Sequence, residues 1–435
     1  MNFRACFRVP CLLSFLLCIT YSTSALSGYR TYLDPRSMAM GGTGVASATK
    51  FNASSHNPAL IAFNKGTKPD KIYFNVSMGT RDLYNENLND DIIYYQDNQN
   101  IDELSQKFSI GTDEEITIEA DKYKNLLREI DQSSYRTDEL FSYSLLVDTS
   151  PITINFFSRR EIRTMTTILD LDKSALDDFL DMTDELARLR PLSLSSSVQS
   201  TYFEIKEFGV TVATTNVIDY NMPISWGFSP KLIEFHSGHS AVDIKDYDVA
   251  NPPDRVRPSE SNLEWNVDVG FAMLFTDDFL QNEFGLDGEW LKGEWVFGFS
   301  GMNLFPTDIQ SYGIPNRPDA YPRSRPALQA IYQVGLAHYR EKFMVTMDIE
   351  LTEDEVFTFE GTTRFISLGG EYYWRRNFHL RGGLRINASQ TDGSAKEKAT
   401  ISTGFMYEPH GFTFEGAFMF SDVEVGGTMG FGIAF

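Results

Sequence analysis

Across the last third of the chain, apolar and polar positions alternate one for one. In 343–352, Phe343, Val345, Met347, Ile349 and Leu351 share one face, while Thr346, Asp348, Glu350 and Thr352 share the other. In 378–387, Phe378, Leu380, Leu384 and Ile386 oppose His379, Arg381, Arg385 and Asn387. In 263–275, Trp265, Val267, Val269, Phe271, Met273 and Phe275 oppose Glu264, Asn266 and Asp268. The last stretch puts Val425, Met429, Phe431, Ile433 and Phe435 on one face and ends on that Phe. A period of two is that of a β-strand. A soluble antiparallel sheet with one wet face alternates too, but here the apolar faces are very apolar and the opposite faces carry charge. That is the pattern of strands with lipid outside and water inside.

The spacing of these segments predicts an all-β transmembrane antiparallel barrel of fourteen strands. They fall near 71–79, 138–148, 151–170, 200–213, 223–235, 263–275, 293–304, 327–339, 343–352, 364–374, 378–387, 399–407, 412–420 and 425–435. The connections mostly alternate long and short. Long ones at 80–137, 171–199, 236–262, 305–326 and 388–398 read as outer loops, and short ones at 149–151, 340–342, 375–377 and 408–411 as periplasmic turns. An even strand count with both termini inside fits the same scheme. The longer connection at 276–292 is the exception, and a twelve-stranded count stays open because 151–170 is charged and alternates poorly.

Two helices are expected within the loops, at 120–132 and at 174–191. In the second, Ser174 can cap with Asp177 three residues on, and Leu176, Phe179, Leu180, Leu186 and Leu189 form a stripe that Pro191 ends.

Composition narrows the setting. Arg4 and Arg8 precede an apolar run over 9–20, and Thr23 and Ala25 occupy the minus-three and minus-one positions of a cleavage site, so 1–25 reads as a secretory signal peptide. The run is short of the roughly 20 residues of a membrane helix. A lipoprotein site at Cys18 would want a small residue where Leu17 stands. Cys6, Cys11 and Cys18 all lie in the leader, so the mature chain is free of cysteine, as suits a bacterial envelope protein better than a disulfide-framed secreted domain. Loss of the two leader arginines takes the net charge from −22 to −24, which argues against nucleic acid as a direct partner. With Phe 34 and Tyr 20 and no later apolar run of helical span length, a membrane location requires a barrel. The expected surroundings are then outer-membrane lipid and lipopolysaccharide; the oligomeric state is open.

Chemistry beyond this is sparse. The acidic loop 80–137 has oxygen clusters but no ligand spacing for a hard cation. His236 and His239 read as loop residues without further metal ligands. No catalytic triad, phosphate-binding Gly loop or zinc motif is recognisable, so no cofactor, no metal and no enzyme activity is expected.

The N-terminal region carries the most specific signal. "RSMAMGGTGVASA" at 36–48 followed by "NPALIA" at 57–62 resembles the start of the FadL-like outer-membrane proteins, specifically the exported family known as conjugal transfer protein TraF. The stretches "KEFGVTVAT" at 206–214 and "PISWGFSPKLIEF" at 223–235 are similar to that family as well. The thioredoxin-like pilus-assembly protein of the same name needs paired cysteines that the mature chain lacks. The resemblance implies that 26–70 folds back into the lumen of the barrel 71–435 as a plug or gate, with Gly41, Gly42, Gly44, Asn57, Pro58 and Ala59 as its key residues. Gly permits tight turns, and Pro58 holds Asn57 extended. Such a segment would thread an interior lined by polar groups such as Asp268, Asp348, Glu350, Glu371, Arg381 and Arg385. The terminal Phe431, Ile433 and Phe435 resemble the signal read by the barrel-assembly machinery. FadL carries long-chain fatty acids and relatives pass other hydrophobic compounds sideways into the membrane. The implied function is passive uptake of a hydrophobic small molecule; the alternative is a structural or interaction component of an envelope machine such as conjugal transfer. The inward faces mix polar groups with aromatics, so the strands alone do not choose between these.

Overall fold

The structure, a computed structural model, describes residues 34–63, 71–85, 134–149, 151–169, 197–218, 222–247, 260–285, 288–308, 327–355, 362–389 and 399–435, together with a few positions between 92 and 125. The expected signal peptide and the 174–191 helix lie outside them. Of the helix expected at 120–132, the described positions Asp121, Lys122 and Asn125 are helical.

Among the described residues, fourteen strands close into one antiparallel barrel in which each strand pairs with its neighbours in sequence. They are β1 Lys71–Asn85, β2 Ser134–Thr149, β3 Ile152–Leu169, β4 Ser197–Ile218, β5 Met222–Asp243, β6 Glu260–Thr276 and β7 Glu294–Met302, then β8 Ile331–Tyr339, β9 Phe343–Glu350, β10 Phe365–Arg375, β11 Phe378–Asn387, β12 Thr400–Tyr407, β13 Phe412–Phe420 and β14 Glu424–Ala434. Closure is made by β1 on β14, in register from Tyr73 opposite Ala434 to Leu83 opposite Glu424. The first strand's start and the chain's end therefore lie at one rim, with the short β2–β3, β8–β9, β10–β11 and β12–β13 turns. Phe431, Ile433 and Phe435 stand on the outward face at this seam, with Phe435 donating its N–H to Ile72 O at 2.9 Å.

The wall is turned inside out relative to a soluble protein. Outward Phe156, Phe208, Trp226, Phe228, Val345, Phe414, Phe418 and Met429 are all 40 % or more exposed, while inward Asp138, Arg163, Asp268, Glu371 and Arg381 are almost completely buried. An apolar belt this continuous is unstable in water and satisfied by lipid. The protein is a membrane-spanning β-barrel of the outer-membrane type.

The charged segment expected at 151–170 forms a strand over Ile152–Leu169. Arg159, Glu161 and Arg163 fall on its inward face, where Glu161 accepts from Arg159 at 2.9 Å and Asp138 accepts from Arg163 at 2.9 Å. Among the described residues the closed barrel has fourteen strands, not twelve.

Several boundaries move. β4 and β5 pair from Ile218 opposite Met222 up to Ser197 opposite Asp243, so the connection expected at 236–262 begins after 243, and that at 171–199 ends before 197. β1 and β2 likewise pair as far as Asn85 opposite Ser134, which shortens 80–137. His236 and His239, read as loop residues, lie on β5. Backbone pairing continues above the lipid, where neither face needs to be apolar. The period-two signal fades there while the hydrogen-bond ladder does not.

The longer connection at 276–292 carries a short helix, α1 (Asp277–Phe284). Thr276 caps it by accepting from Phe279 N, and Gly285 ends it in the left-handed region at φ 64°.

Candidate functional site: the lumen and the segment that fills it

Residues 34–63 lie inside the barrel and touch all fourteen strands. A barrel of this width leaves a lumen its own side chains do not fill, and the segment lies within it.

The segment is folded around its own polar groups. Asp34 accepts from Ser37 N at 3.0 Å and from Asn52 Nδ2 at 2.8 Å, and its other oxygen meets His56 Nε2 at 2.7 Å. Burial opposes the charge on Asp34, but His56 and these donors together hold its carboxyl below its ordinary value. Gly41 and Gly42 take φ of 69° and 94°, a conformation that side chains disfavour. At Gly44 the constraint is space, since a Cβ there would lie 2.4 Å from the His56 ring. Asn57 is extended at φ −147°, ψ 103°, ahead of Pro58.

Asn57 joins three backbones. Its Nδ2 donates to Val45 O at 2.7 Å and to Phe271 O of β6 at 3.0 Å, and its Oδ1 accepts from Ala59 N at 3.1 Å. The Asn-Pro-Ala corner is thereby fixed to the segment's other limb and to the wall. Next to it, Ser225 donates to Ala59 O at 2.6 Å, Thr215 to Ala62 O at 2.8 Å, and Ser300 to His56 O at 2.6 Å. Each hydroxyl ties a buried carbonyl of the segment to the wall.

The opposite limb is held by carboxylates. Asp348 Oδ2 of β9 accepts from both Gly44 N, at 2.6 Å, and Val45 N, at 2.8 Å. Glu371 of β10 accepts from Arg36 at 2.9 Å and from Arg381 at 2.8 Å, and Arg381 reaches on to Glu415 at 2.7 Å. Lys50 pairs with Asp148 of β2, Asn155 of β3 with Ser54, Asn75 of β1 with Phe51 O at 3.3 Å, and Ser402 of β12 with Gly41 N at 2.9 Å.

Where the backbone itself touches the wall, the wall has glycine. A Cβ at Gly227 would lie 2.2 Å from Pro58 C, one at Gly298 2.1 Å from Val45 O, and one at Gly383 2.1 Å from Gly41 N. Asn57 Oδ1 sits where a Gly270 Cβ would be, at 2.1 Å. On the remaining strands, Val45 comes against Gly335 of β8 and Pro35 against Gly430 of β14. Met38 and Ala39 pack with Leu140, Ala417 and Met419, which brings in β13.

All six polar residues expected in the lumen face inward, but they divide by role. Asp348 and Glu371 hold the segment directly and Arg381 acts through Glu371. The other three tie wall to wall: Arg385 to Glu424 at 2.9 Å, Asp268 to Lys231 at 3.0 Å, and Glu350 to Gln333 at 2.9 Å. The pattern reading missed a second ionic layer nearer the outer rim, in which Asp138 gathers Arg81, Arg136 and Arg163. Its trace is the period-two charge in Arg136-x-Asp138 and Arg159-x-Glu161-x-Arg163.

Toward the outer ends of β4 and β5 the polarity of the wall inverts. Inward Ile205, Ile233 and Phe235 cluster with Leu328, which the β7–β8 connection brings in, while outward Glu204, Lys206, Glu234 and His236 are polar. Below this patch, Lys231 sits between Glu207 and Asp268 at 2.9 and 3.0 Å. There the ladder of β4 and β5 is interrupted between Gly209–Lys231 and Val212–Phe228. Pro230 lies in the gap and has no N–H to give. Thr211 and Ser229 bridge it with a hydroxyl pair at 2.8 Å. Among the described residues no group of three or more His, Cys, Asp or Glu is placed to hold a metal ion.

The model of the family described as "F plasmid transfer operon, TraF, protein" matches residues 55–281, from the luminal segment through β6. Similar solved structures include the P. putida toluene transporter TodX, 11% identical over 94% of this chain and 99% of that one with a TM-score of 0.47. A TodX deltaS2S3 mutant monoaromatic hydrocarbon channel is 13% identical over 92% and 97%, TM-score 0.49. A Pseudomonas aeruginosa FadL homologue is 10% identical over 93% and 98%, TM-score 0.48. No curated protein matches the chain.

Proposed function

The chain belongs to the F plasmid transfer operon TraF protein family, and we propose that within it this barrel admits a hydrophobic small molecule passively, with residues 34–63 as its gate. The observation that carries this reading is the inverted patch at the outer mouth. Apolar side chains turned into a lumen are costly unless something apolar covers them. Here Leu328 covers Ile205, Ile233 and Phe235, all four being buried, so an apolar molecule can take the place of Leu328 as their cover, and the interrupted β4–β5 ladder lies beside them. No energy source is needed, because a hydrophobic compound runs down its own gradient into lipid.

Uptake of radiolabelled alkanes, monoaromatics and long-chain fatty acids by cells producing the protein tests this. At least one of these classes is expected to enter faster than in cells without the barrel. The Ile205→Asp, Ile233→Asp double variant, once shown to fold and reach the membrane, is expected to lose most of that gain. Equal uptake of all three classes with and without the protein would sink the proposal.

A second reading has its own observation. The segment meets every strand and is almost wholly buried over 35–47, which suits a sealed barrel serving as a structural part of an envelope machine. Under that reading the two aspartates leave uptake unchanged.

A further inference from the structure

The 22-residue strands β4 and β5 carry a charged row on the lipid side of the wall, directly above the last apolar row. Register places Phe141, Arg160, Lys206, Glu234 and Leu263 side by side across β2 to β6. Two residues lower, Phe208, Leu232 and Trp265 stand in line, each about half exposed or more. One step along the strands, the outward surface passes from hydrocarbon-facing aromatics to cations. That step marks the level of the outer leaflet's head groups.

The cations are only partly used. Arg160 gives Nε to Glu204 and has a further side-chain hydrogen bond with Tyr202, but half of its side chain is exposed. Lys206 is held at the surface by Glu234 at 3.4 Å and by His236 at 3.2 Å. The carboxylates Glu204 and Glu234 thus fix the direction of two cations that project outward, as in a preset anion clamp. Phe141 and Leu263 flank the row and are 44 % and 66 % exposed, so an anion bound here has acyl chains beside it. A soluble anion has no use for those flanks.

We propose that Arg160 and Lys206, oriented by Glu204, Glu234 and His236, bind the phosphate of a phosphorylated glycolipid head group in the outer leaflet. This surface is continuous with the membrane belt and is independent of whether the lumen carries cargo.

The test is a lipid titration of the purified full-length barrel in neutral micelles, reading thermal unfolding and native mass. Diphosphoryl lipid A is expected to raise the unfolding temperature and to remain bound in the mass spectrum. The Arg160→Gln, Lys206→Gln variant is expected to weaken the apparent affinity by ~10-fold or more, as loss of charge-assisted hydrogen bonds does. Arg376→Gln, which removes a cation at the opposite rim, is expected to match the wild type. Glu204→Gln with Glu234→Gln keeps an amide oxygen to orient each cation while removing the competing negative charge, and is expected to bind at least as well, which keeps the idea testable should the first variant fold poorly. Equal affinity of wild type and the Arg160/Lys206 variant would overturn the proposal. So would an equal stabilisation by phosphatidylcholine, which would leave only a general lipid effect, or by inorganic phosphate, which would leave a free-anion site.

Discussion

Gly383→Val in β11 is expected to leave a folded barrel whose luminal segment no longer sits in place. The added Cβ would lie 2.1 Å from Gly41 N and 2.2 Å from Met40 C, so it meets backbone on both sides of a peptide bond, not a side chain that can rotate away. Overpacking typically costs ~1–3 kcal/mol and more when the neighbours are rigid. The strand ladder around Gly383, opposite Gly369 and Ser402, needs nothing from that Cα hydrogen, and the barrel itself persists. The weaker partner, the segment, gives way. A Ser37→Cys reporter, with Cys6, Cys11 and Cys18 replaced, would be inert to maleimide in the parent, where position 37 is fully buried. It is expected to label readily in the Gly383→Val background. Unchanged protection would mean that the approach of segment and wall is looser than described.

Asp348→Leu is expected to release the other limb. One carboxylate oxygen satisfies both Gly44 N and Val45 N, and leucine, branched at the same distance but without an acceptor, leaves two buried donors unsatisfied. Each such loss costs ~1–3 kcal/mol, so docking is expected to weaken by about 2–6 kcal/mol. Asp348→Glu, with the acceptor kept but displaced, is expected to recover part of this. The distinction is measurable as hydrogen-exchange protection over 37–48: near the parent for glutamate, lost for leucine, and unchanged across the rest of the wall. Loss of protection across β8–β10 as well would mean that Asp348 holds the barrel and not the segment.

The parts of the fold that were legible in the sequence are those where one environment presses on each face. β6, β9, β11 and β14 lie between lipid and a wet or polar lumen, and Trp265, Val345, Leu380 and Phe431 mark the outward side unambiguously. β3 was harder because Arg159, Glu161 and Arg163 satisfy one another inside, so its charges reflect an ionic layer and not exposure to water. The outer ends of β4 and β5, 197–199 and 236–243, read as loop because the polarity of the strands inverts above the lipid. His236 then looked like loop, and Ile205, Ile233 and Phe235 did not stand out as a group until strand pairing and Leu328 brought them together.

For the luminal segment, the small residues at 36–48 and the Asn-Pro-Ala corner were visible, and the geometry supplies the reason for each. Gly41 and Gly42 need positive φ, Gly44 needs room beside His56, and Asn57 needs its three bonds. The matching wall glycines were not seen. A glycine inside a strand looks like a weakness of that strand, and only the segment lying against Gly227, Gly298 and Gly383 shows that those positions are seats.

The measurement that most directly tests whether residues 34–63 close this barrel is ionic conductance in a planar lipid bilayer, with and without that segment. The intact protein is expected to pass almost no current. The barrel lacking 34–63 is expected to open steps of a water-filled pore, lined by Asp138, Glu371, Arg381 and their neighbours. Porin-like steps from the intact protein, or silence from a folded barrel without the segment, would contradict the account.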